Sequence, residues 1–336
     1  MDQLALPGGA TILVTGGAGF IGSNLCHLLA GHGLGVRVLD NLSTGRLANL
    51  ADIESQVDFV EGDLADLRRV SEAMRGADFV LHHAALPSVP RSIEQPLASH
   101  AANATGTLNV LVAAQAAGVK RLVYASSSSV YGNSPALPKQ ESMAAAPVSP
   151  YAATKLAGEH YCRVFHHLHS LEVVVLRYFN VFGPRQDPDS PYAAVIPRFI
   201  KSLLSGEPPT IYGDGEQSRD FTYVDNVAQA NLLALTAPAA PGRILNIACQ
   251  QATTLNQLSK MLNSILEVDL APRYAPARPG EARHSLADVS LAASVLGYQP
   301  IITVEDGLRR TARYWRGQCR VAQVPRPANS SWERKP

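Results

Sequence analysis

The residues best suited to chemistry lie between Ser126 and Lys155. Tyr151 and Lys155 are four apart in the run Ser149-Pro150-Tyr151-Ala152-Ala153-Thr154-Lys155, so on a helix they share one face. Ser149 is a suitable N-cap and Pro150 a suitable first helical residue, which predicts a helix starting here. Tyr151 then falls in the first turn, where the positive end of the helix dipole favours an anion. A free phenol, with a pKa of about 10, is a poor base at neutral pH. An ammonium one turn away would stabilise the phenolate and bring that value down. The pair could then exchange a proton with a substrate hydroxyl. The serines Ser126, Ser127, Ser128 and Ser129 precede the pair, and one of them could hold the same oxygen. A surface helix start can carry the same spacing. The serines, and the glycine-rich turn near the N-terminus, set this one apart.

The elements that must position this pair begin with the buried, β-branched run Thr11-Ile12-Leu13-Val14-Thr15. It leads into Gly16-Gly17-Ala18-Gly19-Phe20-Ile21-Gly22, followed by a predicted helix over 23 to about 29. Glycines at this spacing allow a tight turn, close approach of a pyrophosphate, and close packing of helix on strand. The helix start aims its amides at the phosphates. A second strand, 36–39, ends in Asp40, eighteen residues after Gly22, where a carboxylate would bind the adenosine ribose. An acid there favours NAD over NADP, because it would repel a 2′-phosphate.

The alternation continues with strands at 57–60, 79–85, 121–125 and 172–177, and a long helical stretch at 96–118 that contains Asn103 and Thr107. Asp63 follows the third strand, beside the expected adenine position. The fourth runs into Ala84 and Ala85, where small residues let the backbone approach a cofactor. His82 and His83 lack an acid or cysteine spaced to join them, so they read as strand-end histidines, with no metal expected. Strands alternating with helices predict an α/β fold, a Rossmann-type doubly wound parallel sheet covered on both faces. Ligands bind beyond the strand carboxyl ends, where the glycine turn, Ala84 and the serines all fall.

The chain has 336 residues, 46% hydrophobic and 17% charged, which suits an enzyme with a large core. A net charge of +1 argues against a nucleic-acid surface. Four scattered cysteines without a CxxC pair read as free thiols. No signal peptide and no apolar run of ~20 residues is present, so a soluble cytoplasmic protein is expected, with no membrane partner. The expected division is a dinucleotide-binding domain over 1–182 and a smaller α/β substrate lobe over 183–316. Some later segments, notably 244–248, are expected to return to the first sheet. The polar, proline-rich tail 317–336 is expected to be partly disordered.

The segments TGGAGFIGSNL, LDNLSTG, HHAALPSVPRS, ASSSSVYG, SPYAATK, LRYFNVFGPRQDP, YAAVIPRF, YGDGEQSRDFTYVDN and PGEARHSLAD span residues 11 to about 300. In this order they resemble the extended short-chain dehydrogenase/reductases, and within them the nucleotide-sugar epimerases. The likeness is greatest to the UDP-N-acetylglucosamine 4-epimerases that also act on the uronic-acid forms, then to the UDP-glucose 4-epimerases. The resemblance implies bound NAD, a UDP-sugar substrate and inversion at C4 through a 4-keto sugar. It implies that Gly16, Gly19, Phe20, Ile21 and Gly22 hold the pyrophosphate, Asp40 and Asn41 the ribose, and Asp63 and Leu64 the adenine. Ser127 would be the catalytic serine, with a shift to Ser126 or Ser128 left open. Tyr151 would be the acid and base, with Lys155 on the nicotinamide ribose. Tyr178 would approach the nicotinamide, Asn180 the diphosphate, and Ser88 the hexose. Arg219 and Arg278 would clamp the diphosphate, a task suited to a planar guanidinium, and Glu281 would accept from the nucleotide ribose. Ser285 would lie near the hexose, small enough to admit a 2-N-acetyl group, although it could equally cap a helix. Related dehydratases and decarboxylases carry acids where this chain has Ser128 and Ser129, which argues against both activities. A UDP-glucuronate 4-epimerase and a non-catalytic dinucleotide sensor are the rival readings; Arg185 is the one cation at hand for a uronate, and a sensor would be expected to lose Tyr151 and Lys155. A homodimer through helices over 96–118 and 151–170 is likewise implied by the resemblance alone.

Overall fold

A computed structural model gives the fold and describes residue 6 and residues 8–277 and 283–321. The first part of the chain alternates strands and helices. It runs β1 (Thr11–Thr15), α1 (Phe20–Gly31), β2 (Gly35–Asp40), β3 (Val57–Glu61), α2 (Leu67–Met74), β4 (Phe79–His82) and α3 (Val89–Glu94). Then come α4 (Pro96–His100), α5 (Gly106–Ala116), β5 (Arg121–Ser127), α6 (Pro150–His169) and β6 (Glu172–Tyr178). The second part has shorter strands: β7 (Val181–Phe182), α7 (Val195–Leu204), β8 (Thr210–Tyr212), β9 (Ser218–Asp220), β10 (Thr222–Tyr223), α8 (Val224–Thr236) and β11 (Ile244–Ile247). It closes with β12 (Ala252–Thr254), α9 (Leu255–Leu266), β13 (Arg273–Ala275), α10 (Ser290–Leu296) and α11 (Val304–Val321).

Seven parallel strands form the main sheet in the order β11-β6-β5-β4-β1-β2-β3. Its central strands are apolar runs buried on both sides, as a sheet covered by helices on each face requires. The architecture is the Rossmann-like α/β fold that the alternation predicts. The order reverses between β1 and β4, which places the ligand crevice at the carboxyl ends of these two strands. One face packs on α1, α8 and α10, the other on α2, α5 and α6. A separate cluster around Phe182, Phe199, Phe221 and Leu262 forms the core of the second part, with Phe182 edge-on to Tyr223 at 5.6 Å. Each large side chain buried in this way contributes roughly 1.5–3 kcal/mol.

Several boundaries differ from the sequence expectation. Helix α1 begins at Phe20 instead of Ser23, because Gly19 is its N-cap, so Phe20, Ile21 and Gly22 form its first turn. The stretch 96–116 is helical but passes through one turn of π-helix, Ala101–Thr105. Helix α11 continues through Val321, past residue 317, where the sequence alone placed the start of an irregular tail. Strand β11 pairs with β6 and so extends the main sheet from the second part of the chain. Among the described residues no helix is long and apolar enough to cross a membrane.

Asp220 holds the second part together. It is fully buried, with Oδ1 accepting from Cys249 N at 3.0 Å and Oδ2 from Ala287 N at 3.1 Å. Its carbonyl accepts from Asn180 Nδ2 at 3.2 Å. Burial pushes its carboxyl up from 3.8 to about 6, although four backbone amides pull the other way. A raised carboxyl favours the fold below 3.8, and that contribution is lost as pH rises through about 6. Asp220→Asn removes the titration. The change in unfolding free energy from about pH 4 to about pH 7, read by urea melts, should therefore be more positive in the variant than in the parent.

Candidate active site

The two halves of the reactive cluster arrive on β5 and α6. Ser149 caps α6, its hydroxyl accepting from Ala152 N at 3.2 Å, and Pro150 follows at the first position. Tyr151 is thereby in the first turn. Its amide donates to the hydroxyl of buried Ser92, in α3, at 3.0 Å. The Ser127 hydroxyl faces the Tyr151 phenol, close enough to favour the phenolate, and accepts from Ser129 N at 3.2 Å. Ser126 turns away and donates to Glu159. Among the serines left open by sequence, it is Ser127 that faces the phenol, because side chains alternate along a strand.

Lys155 is almost completely buried. Its Nζ donates to Ala125 O at 2.8 Å and lies 5.1 Å from the centre of the Tyr124 ring. Burial pushes the ammonium down to about 8, opposed by Cys162 and Glu159. The phenol of Tyr151 is pushed up by burial, with Ser127 pulling it back. The ammonium is anchored on β5 through the Ala125 carbonyl, one helical turn from Tyr151.

Two further residues that sequence reasoning passed over support this corner. Asn103, in the π-helical turn, accepts from Leu86 N at 2.8 Å and donates to Thr154 Oγ1 at 3.1 Å. Thr154 in turn donates to Tyr151 O at 2.8 Å. The segment after β4 is thus tied to the first turn of α6 by an interruption of the kind often found at functional sites. Asn103 was visible only as a polar residue in an apolar helix, and Ser92 only as part of a longer motif.

The glycine turn fits a dinucleotide pyrophosphate. Gly16 has φ +71°, and a Cβ there would stand 2.7 Å from Ala84 Cα, so β1 and the segment after β4 abut at the switch point. A Cβ on Gly22 would stand 2.1 Å from Gly16 O, whereas one on Gly19 would meet only that oxygen at 3.1 Å. The loop is closed below and open at Gly19, over a helix start with no side-chain cap. Asp40 accepts from Ala18 N at 3.0 Å and Leu42 N at 2.8 Å, which leaves acceptor capacity on both oxygens. Asn41 donates to Asp63 at 2.7 Å, linking the ends of β2 and β3, and Leu64 is buried behind them. The amide of Ala84, which Ala85 follows, donates to Thr15 Oγ1 at 3.2 Å. These residues could hold NAD as the sequence reading has it.

The structure places the other expected positions as follows. Tyr178 is buried, its hydroxyl shared with His83 Nε2 at 2.9 Å and Asn231 Nδ2 at 2.8 Å. Its hydroxyl joins the ends of β4 and β6 to α8. His82 bridges Thr15 and Thr107 at 2.7 and 2.9 Å, tying β4 to β1 and α5. Ser88 caps α3, accepting from Arg91 N at 3.1 Å. Asn180 has φ +36° and, through Asp220, sits with β9. Arg219 Nη1 donates to the carbonyls of Ser218 and Arg283 at 2.9 and 3.1 Å. Ser285 is half-buried, its amide donating to Ser218 O at 3.1 Å. It caps no helix, since α10 begins at Ser290. Arg278 and Glu281 lie outside the described residues.

The loop between β7 and α7 reaches the glycine-turn side at three points. Arg185 donates to Asn24 of α1 at 3.0 Å, Arg46 pairs with Asp187 at 2.6 Å, and Tyr192 donates to Glu94 of α3 at 2.5 Å.

Residues 12–248 match the NAD dependent epimerase/dehydratase family, and the chain belongs to it. It is accordingly an NAD-dependent enzyme of that family. It is 38% identical over 311 residues to a UDP-glucose 4-epimerase of Mycolicibacterium smegmatis, covering 91% of this chain and 98% of that one. It is 35% identical to a UDP-glucuronate 4-epimerase of Thermodesulfobacterium geofontis, covering 90% and 95%. A UDP-N-acetylglucosamine 4-epimerase from Methanobrevibacter ruminantium M1, solved in complex with UDP-N-acetylmuramic acid, superposes with a TM-score of 0.89. That structure is 40% identical, with 93% of this chain and 100% of that one covered.

The glycine cradle yields a direct test. Gly22→Ala should drive its methyl into Gly16 O, destabilise the protein by about 1–3 kcal/mol and abolish NAD retention. Thermal melting and chromatography of nucleotide released from purified protein check both.

Proposed function

We propose that the hexose inverted by this NAD-dependent UDP-sugar 4-epimerase is N-acetylglucosamine, interconverted with N-acetylgalactosamine, with plain UDP-glucose a poorer substrate. The observation that carries the sugar choice is Ser285, a small, half-buried side chain held by its own backbone against β9. A small residue beside the hexose leaves room for the acetamido group. In this reading Tyr151, hydrogen-bonded to Ser127, takes the 4-hydroxyl proton and later returns it. Lys155 stays fixed to β5 and supplies positive charge beneath the site. Bound NAD supplies the redox partner for C4. The 4-keto sugar turns over about its diphosphate link, anchored by Asn180 and Arg219. Ser128, which opens a 3-10 turn, and Ser129 put no carboxylate beside Ser127, which favours epimerisation over dehydration or decarboxylation. Arg185 is engaged with Asn24, which weakens the uronate reading. The assembled Ser127–Tyr151 pair weakens the sensor reading.

Purified protein without added cofactor is incubated with UDP-N-acetylglucosamine and, separately, UDP-glucose, and the C4 epimers are followed by NMR. Faster conversion of the acetylated sugar is expected. Tyr151→Phe should lose about 100-fold or more in kcat, and Ser285→Tyr should cut kcat/KM for the acetylated sugar about tenfold while sparing UDP-glucose. Conversion of UDP-glucose alone would overturn the sugar choice. No conversion of either, with NAD supplied, would overturn 4-epimerisation of these sugars.

We also propose a homodimer formed through α4 and α6, which leave Leu97 84% and Leu168 67% exposed, with Val164 beside them. Light scattering should give twice the chain mass, and Leu97→Asp/Val164→Asp should give one chain.

A further inference from the structure

Glu159 lies on α6 two turns beyond Tyr151 and one beyond Lys155, on the same buried face. It is 2% exposed and takes two hydrogen bonds from Arg177, from Nε at 2.9 Å and Nη2 at 2.7 Å. Its Oε1 also accepts from Ser126. Ser126 and Arg177 are register partners on β5 and β6, and the next rung is Ser127 opposite Tyr178. The carboxylate therefore pins α6 to the strand rung directly below the reactive serine. One helical turn back, Lys155 donates to Ala125 O, the residue before Ser126. Arg177 is held from its other side by the Tyr131 ring, 4.7 Å from its guanidinium carbon.

We propose that Glu159 is a positioning residue: clamped by Arg177 and Ser126, its carboxylate keeps the buried Lys155 charged and the start of α6 in register with the end of β5. Around Lys155 stand Glu159 and Cys162 on its own helix, Tyr124 on β5, and His82 and His83 at the end of β4. Burial holds both histidines neutral and the Tyr124 and Cys162 side chains protonated. Glu159 is the carboxyl residue of this group, one helical turn from Lys155 on the same buried face and held there by Arg177 and Ser126. A buried ammonium without an acidic neighbour would lose its proton more readily. The role rests on the epimerase reading only in its consequence for catalysis. The electrostatic part stands by itself.

The test is NMR titration of full-length protein carrying 13C at lysine Cε, with the Lys155 signal assigned by its loss in Lys155→Met. Glu159→Gln should lower the Lys155 midpoint by about one pH unit, the low end for loss of an opposite charge at this range. Ser126→Ala keeps both charges and should leave the midpoint in place. If Glu159→Gln does not fold, Glu159→Gln/Arg177→Gln removes the pair as a unit and should still shift the midpoint down, by less. An unchanged midpoint in a folded variant, or an equal shift in Ser126→Ala, overturns the proposal. The alkaline limb of kcat should move with the midpoint. If the midpoint moves but the parent protein turns over neither sugar, the epimerase reading falls and the role of Glu159 survives.

Discussion

Three charged side chains, Lys155, Glu159 and Arg177, are almost fully buried where α6 crosses the ends of β5 and β6. Charges removed from water are tolerated only with well-placed partners. Lys155 finds the Ala125 carbonyl and the Tyr124 ring, while Glu159 and Arg177 find each other. Each requirement fixes the helix at a different height along the strands, so α6 has little freedom to slide. That constraint brings Ser127 and Tyr151 into contact. Surface salt bridges elsewhere in the chain, such as Arg68 with Glu72, impose nothing comparable, since solvent can replace either partner.

The same strand ends serve the cofactor side. The reversal of strand order leaves β1 and β4 adjacent with their loops diverging, and Gly16 and Ala84 meet backbone to backbone at that point. Only residues without side chains, or nearly so, permit the approach. His82 then fastens β4 to β1 through Thr15, and to α5 through Thr107. The reactive corner and the dinucleotide cradle are therefore parts of one hydrogen-bonded layer above the sheet. The loop after β7 adds contacts from Arg185, Asp187 and Tyr192 to α1, Arg46 and α3 around that layer.

The second part of the chain is built on a different principle. Its strands are short and its core is aromatic, and a single buried carboxylate, Asp220, gathers three separate segments. Arg219 is next to that node in sequence, Asn180 is joined to it by one hydrogen bond, and Ser285 bonds Ser218 on the same strand.

Local signals in the sequence determined a good deal. The strand–glycine turn–helix run, Asp40 at the end of β2, the Ser149-Pro150 start of α6 and the alternation of strands and helices each depend on neighbours within a few residues, and periodicity, caps and glycines report such neighbours directly. They establish the α/β sheet, the preference for NAD and the placing of Tyr151 and Lys155 on one helix face. Tertiary structure decided what depends on distant partners. Ser126 turns to Glu159, 33 residues away, which leaves Ser127 to the phenol. Tyr178 is drawn inward by His83, 95 residues away, and Asn231. Ser285 follows His284, which bridges Ser218, and its own amide donates to Ser218 O, an arrangement that no local pattern marks. The anchoring of Lys155 on β5 and the burial of the Tyr151 phenol were beyond the sequence for the same reason. Desolvation depends on everything that surrounds a group, and only the folded chain supplies those surroundings.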